Sequence, residues 1–311
     1  MKNIFSCLLL LSFALARAQE KKIIYYPNGN KHYEFGMKND LLDGRFSCYY
    51  ENGVMMMNGT LSNNQKISQW MAWDQQGILR EIRNYTTGNQ FEIINEWDKN
   101  NHQILPGIIN EKNMRIIQAA NNITSPDWDQ VLINRRLWKT IKKEGSVNDF
   151  LFAGDNFFNA LIDGLKNNEL SVFEDDRFVY VKNKAIVNDL KNANVVEYRI
   201  KEDVTYYKEQ KTIRRRIIGI CPVIQEDCNL REIGWFYWPD VVAAYSSDKD
   251  FQPIMSNLHN QVYAGTVIKT TLDTSKKQKW REVNPDESLL IQLRILQDEA
   301  IIWIYQVDNG F

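Results

Sequence analysis

Cysteine, histidine and long apolar runs are all scarce in this chain, and each shortage removes a class of function. There are four cysteines and three histidines in 311 residues. His32, His102 and His259 fall in different stretches, and none has a second histidine one helical turn away, as a helical metal site would need. Lysine plus arginine (38) and aspartate plus glutamate (39) nearly cancel, so no basic surplus argues for nucleic acid as the main partner. There is no Gly-rich phosphate loop and no strand-borne serine elbow. Past the first residues, no window reaches the roughly 18 consecutive apolar residues of a membrane-spanning helix.

What is present begins with an export signal. Lys2 supplies the charged start, Leu8 to Leu15 the apolar core and Ala16-Arg17-Ala18 a small-residue cleavage pattern, so residues 1–18 are expected to be removed and the mature chain to begin at Gln19. A lipoprotein would need a cysteine straight after the apolar core, and Cys7 lies before it. Loss of Cys7 leaves Cys48, Cys221 and Cys228, an odd number for an oxidising compartment. Cys221 and Cys228 flank Pro222 to Asp227, and the short loop between two paired strands suggests a disulfide there. Cys48 then reads as a small buried apolar residue.

An internal repeat follows. Tyr25, Tyr49 and Trp73 are 24 residues apart, as are Gly29, Gly53 and Gly77, and Phe46 with Trp70 and Met37 with Leu61 keep the same spacing. Each unit reads as two short strands, with Asn28-Gly29, Asn52-Gly53 and Asp43-Gly44 as tight turns needing positive backbone angles. The stretch YYPNGNKHYEFGMKNDLLDGRFSCYYENG resembles the antitoxin-type MORN repeat over about residues 23 to 95, with Asn39-Asp40 where the usual unit has Asn-Gly and a degenerate third turn at Gln75-Gln76-Gly77. That resemblance implies a β-sheet scaffold used for contacts, with no catalytic residues.

Residues 96–124 read as a linker, punctuated by Pro106-Gly107 and Asn121-Asn122, with a short helix over 111–120. A helix is expected from Ser125 as N-cap, with Trp128, Val131, Arg135, Trp138 and Ile141 at helical spacing and Gly145 as the stop. A second follows Asp155, its apolar face formed by Phe157, Phe158, Leu161, Ile162 and Leu165. From Phe178 the chain turns β-like, with runs at Phe178 to Val181, Val195 to Tyr207, Ile213 to Ile220 and Ile233 to Trp238, joined at Lys208 to Lys211 and Gln225 to Arg231. A long amphipathic helix closes the chain over Glu287 to Val307, with Leu289, Leu293, Leu296, Ala300 and Ile304 on one stripe and Asp286 as a possible cap. Its packing partner is undecided. The fold class is therefore α+β: an N-terminal antiparallel meander over 19–95, then over 125–311 an α+β domain with two helices, an antiparallel hairpin sheet and a C-terminal helix.

Four ordered blocks, WDQVLINRRLWKTI, FFNALIDGLKNNELSVF, VVEYRIKEDVTYYKEQKTIRRRIIGICPVIQE and GWFYWPD, resemble the GldN/PorN family of gliding-motility and type IX secretion proteins over about residues 126 to 240. The resemblance implies a periplasmic subunit that joins an outer-membrane K-type lipoprotein (GldK/PorK-like) in a ring, with a GldM/PorM-like motor subunit as a further partner. It brings no enzyme activity, cofactor or metal. The MORN-like front is extra to the usual subunit.

The chemistry-bearing residues outside that resemblance have plain readings beside sharp ones. Glu174-Asp175-Asp176 and Glu226-Asp227 read as solvated loop charges. Arg214 and Arg216 share one side of a strand and Arg215 takes the other. They either pair across the hairpin with Glu202, Asp203 or Glu209, or meet an acidic partner or lipid headgroups. Trp235, Tyr237 and Pro239 alternate with Phe236 and Trp238, so that one side is core and Trp235, Tyr237 and Trp238 are candidate interface residues with the two arginines. The function expected is a ring or adaptor subunit assembling through Val195 to Asp240. The alternatives are an exported MORN-type envelope binding protein without ring assembly, and a hydrolase with an unrecognised constellation, which would need a deep pocket of polarised acids.

Overall fold

In the computed structural model the described residues are 20–86, 91–97, 100–104, 131–144, 146–183, 190, 193–207, 212–271 and 280–309. The expected signal segment, the helix over 111–120, the stretch Ser125 to Trp128 and the connection Lys208 to Lys211 lie outside them.

The repeats build an antiparallel meander in which every strand pairs with the next. Its strands are β1 (Glu20–Tyr25), β2 (Lys31–Lys38), β3 (Leu41–Tyr49), β4 (Met55–Ser62), β5 (Gln65–Trp73), β6 (Leu79–Tyr85), β7 (Phe91–Trp97) and β8 (Gln103–Ile104). Gly29, Gly53 and Gly77 carry φ of 88°, 86° and 81°, the left-handed region that a side chain resists. The period is also visible as hydrogen bonds between successive units. Tyr26 Oη donates to the Tyr49 carbonyl at 2.8 Å and Tyr50 Oη to that of Trp73 at 2.9 Å. Asn28 and Asn52 donate likewise to Glu51 and Gln75. In the third unit Asp74 replaces the tyrosine, and its Oδ1 accepts the N–H groups of Gln76 and Ile78.

Two expectations about this sheet need correction. The tight turn is not Asp43-Gly44, which lies inside β3, but Asn39-Asp40, and one repeat later Asn63-Asn64, all four with positive φ. Asn and Asp tolerate that region because their short side chains hydrogen-bond locally, so the missing glycine was no obstacle. The meander also continues past residue 95, since β7 and β8 extend it to Ile104, into the stretch read as linker.

Gly59 in β4 permits a close approach between strands. A Cβ there would lie 2.1 Å from Cδ2 of Trp70, itself fully buried and stacked on Phe46. Gly59→Ala is expected to destabilise the chain by about 1–3 kcal/mol through overpacking, measured by urea unfolding; a midpoint equal to wild type would show that the indole can move aside.

The second sheet is also antiparallel, in the order β10-β14-β12-β11-β9-β15-β16, with β13 added to β12. Its strands are β9 (Val131–Lys142), β10 (Val172–Phe173), β11 (Val195–Tyr207), β12 (Thr212–Glu226), β13 (Asn229–Glu232), β14 (Trp235–Tyr237), β15 (Thr266–Thr271) and β16 (Trp280–Glu282). The helices are α1 (Asp149–Phe152), α2 (Asn156–Lys166), α3 (Trp238–Tyr245), α4 (Gln252–His259) and α5 (Pro285–Asn309). The expected helix through Val131, Arg135, Trp138 and Ile141 is instead β9, held between β11 and β15. Its residues alternate: Leu137, Lys139 and Ile141 turn to the helices, Arg136 and Trp138 to the far side, and the tertiary pairing overrides an ambiguous spacing. Phe178 to Val181 is not a full strand either, since only Val181 bridges, to Phe173, and Phe178 sits at φ 58°. The helix after Asp155 is present as α2, with Phe157, Phe158, Leu161, Ile162 and Leu165 all buried against β11, β12, α3 and α4.

α5 lies between the two sheets. Leu293, Ala300, Trp303 and Ile304, with Leu289 and Leu296 beside them, complete the core of the repeat sheet, while Ile291, Ile295 and Ile302 pack on Leu137, Val204 and Tyr206 of the second. The stripe read from sequence therefore faces the repeats, not its own domain. The helix is capped by Asn284, whose Oδ1 accepts the Glu287 N–H at 2.8 Å, and not by Asp286.

Candidate interaction surfaces

The seam between the sheets is built from buried charge. Lys66 of β5 pairs with Glu299 of α5, both almost wholly buried, and its ammonium lies 5.1–5.2 Å from the ring centroids of Trp70, Tyr85 and Trp303. Burial pushes the Lys66 ammonium below its ordinary range, with Glu299 opposing. Arg83 pairs with Glu81 and lays its guanidinium 3.7 Å from the Trp303 ring centroid. Across the seam, Glu202 of β11 accepts from Lys139 at 2.8 Å, Arg215 at 3.3 Å and Gln261 at 3.0 Å. Burial alone would raise the Glu202 carboxyl, but the two cations hold it below the ordinary value. Asn64 and Gln65 of the β4–β5 turn donate to the Gln261 and Asn260 carbonyls, tying the repeats to the loop after α4. The cavity these groups enclose is about 70 Å³, room for little more than water. Its carboxylates, Glu202 and Glu299, are paired with Lys139, Arg215 and Lys66, and these pairs hold the two sheets in register.

The residues singled out in the sequence separate. Arg216 lies 3.7 Å from Asp203, which also accepts from Nε and Nη2 of Arg136, and Arg215 reaches Glu202 on the opposite face. Arg214 sits on the Arg216 face, opposite Thr205. The across-hairpin reading is thus the one the geometry supports for Arg215 and Arg216. Trp235 is buried with Trp138 and Cys221, and Trp238 opens α3 and is buried in the helix-covered core. The strand ends at Tyr237 because Pro239 suits the first turn of a helix; of the three aromatics only Tyr237 is half-exposed, against Phe178.

The expected Cys221–Cys228 bridge is absent, and both thiols are free. Asp227-Cys228 forms the turn between β12 and β13, whereas Cys221 lies two residues beyond Val223, whose partner is already Glu232. The hairpin register therefore holds the two apart along the strand. Cys48 is buried, with its thiol pushed up to about 12 by desolvation. Asp176, read as a solvated charge, instead accepts the Trp138 indole N–H at 2.7 Å and pairs with Lys201 at 3.1 Å.

Two surfaces were not legible in the sequence. A groove of about 460 Å³ runs between β1–β2, α5 and β15–β16, lined among others by Tyr25, His32, Arg281, Leu290 and Arg294. His32 is stacked between Tyr26 and Tyr33 and held below its ordinary pKa by burial. The other is the exposed run Val179-Tyr180-Val181. Among the described residues, no three His, Cys, Asp or Glu gather as a metal site, and no helix is long and apolar enough to cross a membrane.

The described residues form a mixed α+β structure of two antiparallel sheets, with short helices on the second and buried ion pairs in the seam between them. Residues 126–271 match the family model described as gliding motility associated protein GldN. The match runs through α3, α4 and β15, past Asp240 where the quoted motifs end, and leaves the repeat sheet, β16 and α5 outside it. A domain of this family implies an envelope-associated component of gliding motility and type IX secretion, and the family is not known as an enzyme. No curated protein matches the chain.

Proposed function

We propose that this chain is a non-enzymatic periplasmic ring or adaptor subunit of a type IX secretion or gliding apparatus, which binds a K-type outer-membrane lipoprotein and works with an M-type motor subunit. The observation that carries the proposal is the GldN match over 126–271. The extra sheet, a MORN-like scaffold in this reading, is joined to that domain by α5 and adds a contact surface carried rigidly with it. Affinity purification of the tagged mature chain from its native envelope, followed by mass spectrometry, tests the proposal. Recovery of the K-type lipoprotein or the M-type motor subunit is the expected result. Recovery of the bait alone would overturn it and move the search to a ligand of the repeat sheet.

A further inference from the structure

The strongest unassigned feature is the groove of about 460 Å³ between β1–β2, α5 and β15–β16. Its volume falls in the roughly 300–1,000 Å³ range of ligand sites, unlike that of the seam cavity. Of its lining only Arg135, Thr270 and Thr271 belong to residues 126–271, so the groove exists because the repeat sheet and α5 are added to that domain. Three arginines line it, and two are already neutralised. Arg281 holds Glu287 with both terminal nitrogens, Nη1 at 2.8 Å, and Arg135 lies 3.5 Å from Asp298. Arg294 is exposed and has no hydrogen bond or ion pair among the described residues. It stands beside His32, whose pKa is lowered first by burial and further by the Arg294 charge. Among the described residues, the groove therefore carries one uncompensated positive charge.

The rest of the wall is largely apolar. Tyr25 of β1 and Leu290 of α5 are 56% and 41% exposed, and they line the same groove as the buried Ile291. Tyrosine and arginine are residue types that protein interfaces favour. Glu287, Leu290, Ile291 and Arg294 follow one another at helical spacing along one face of α5, so that wall reads bound acid, apolar pair, unpaired cation. Leu290 and Arg294 are one turn apart, about 6 Å along the axis. Side chains two positions apart on an extended segment are separated by about 6.6 Å and point the same way. Residues i and i+2 of such a segment can thus meet Arg294 and Leu290 together. We infer that the groove binds an extended peptide segment of a protein partner, in which an aspartate or glutamate stands two residues from a large apolar residue. The carboxylate makes a charge-assisted contact with Arg294, and the apolar side chain packs on Leu290 and Tyr25. A phosphate group, with close to two charges, would leave one of them uncompensated here.

A random heptapeptide library, displayed with a glycine linker after the last position so that every carboxylate is a side chain's, is selected against the purified mature chain. The selection uses no envelope component, so its outcome is independent of the secretion reading. Enriched sequences are expected to carry Asp or Glu two positions from Leu, Ile, Val or Phe. The most enriched one, synthesised with both ends blocked and labelled with fluorescein, should bind in fluorescence polarisation. Arg294→Glu should weaken that binding at least about tenfold, and a lysine in place of the peptide's acid should restore binding to this variant alone. Leu290→Ser should weaken it at least about threefold, through loss of the apolar contact. Both side chains are exposed, so the fold should persist; where circular dichroism shows Arg294→Glu unfolded, Arg294→Gln carries the test. No enrichment, enrichment only in a parallel library with free C-termini, enriched sequences without an acid, or equal binding to wild type and Arg294→Glu would overturn the inference.

Discussion

Trp303→Ala will lower the unfolding free energy by about 4 kcal/mol, the upper part of the range for emptying a buried aromatic site. The indole is fully buried in α5, pointing at the repeat sheet, with Tyr85 stacked 6.5 Å away. Two buried cations also lie against it: the Arg83 guanidinium 3.7 Å and the Lys66 ammonium 5.1 Å from the ring centroid. Truncation opens a cavity and removes the π face from both charges at once. The surrounding strands are paired on both sides and cannot collapse into the space. The midpoint of urea unfolding followed by far-UV circular dichroism is the measurement, since tryptophan fluorescence would change with the substitution itself. A loss under about 1 kcal/mol would mean that α5 is not a structural part of the repeat sheet.

How much of this was legible in sequence depends on the range of the interaction. Where a signal is local it read correctly: the 24-residue spacing found the paired strands, Phe157 to Leu165 found α2, and Val195 to Tyr207 matches β11 to the residue. Val131, Arg135, Trp138 and Ile141 misled because one set of positions satisfies both a 3.6-residue stripe and part of a strand alternation. What decides for β9 is pairing with β11 and β15, and those partners lie more than 50 residues away. The α5 stripe was visible but its target was not. A helix with apolar residues on two sides, Leu293 and Ile304 on one and Ile291 and Ile302 on the other, implies two neighbours without naming them.

The seam was hidden for the same reason. Lys66 and Glu299 are 233 residues apart, and each alone reads as an ordinary surface charge. Phe178 to Val181 reads as a strand from its β-branched and aromatic content, but only Val181 bridges, to Phe173, and Val179, Tyr180 and Val181 are exposed.

Glu202→Gln is expected to cost about 3–5 kcal/mol at neutral pH, the penalty for removing one partner of a buried ion pair. The carboxylate is fully buried and is the anion that both Lys139 and Arg215 face. Glutamine can keep the shape and a hydrogen bond with Gln261, but it leaves two cations near one another in a desolvated seam. The pH dependence separates this from a packing defect. Glu202 has a folded-state pKa below its ordinary 4.5, so between those values the unfolded chain binds more protons than the native one. Stability therefore rises with pH through that window, and the contribution, fully present above 4.5, is lost as the solution is acidified through the folded value. The wild-type urea midpoint should fall as pH is lowered from about 6 through that region, and Glu202→Gln should flatten the fall while starting from a lower midpoint. Glu287→Gln, on the half-exposed and solvent-screened pair with Arg281, should change the profile far less than Glu202→Gln does. Parallel wild-type and Glu202→Gln profiles would show that the acid sensitivity arises elsewhere, and that Lys139 and Arg215 are held by the rest of the seam without this carboxylate.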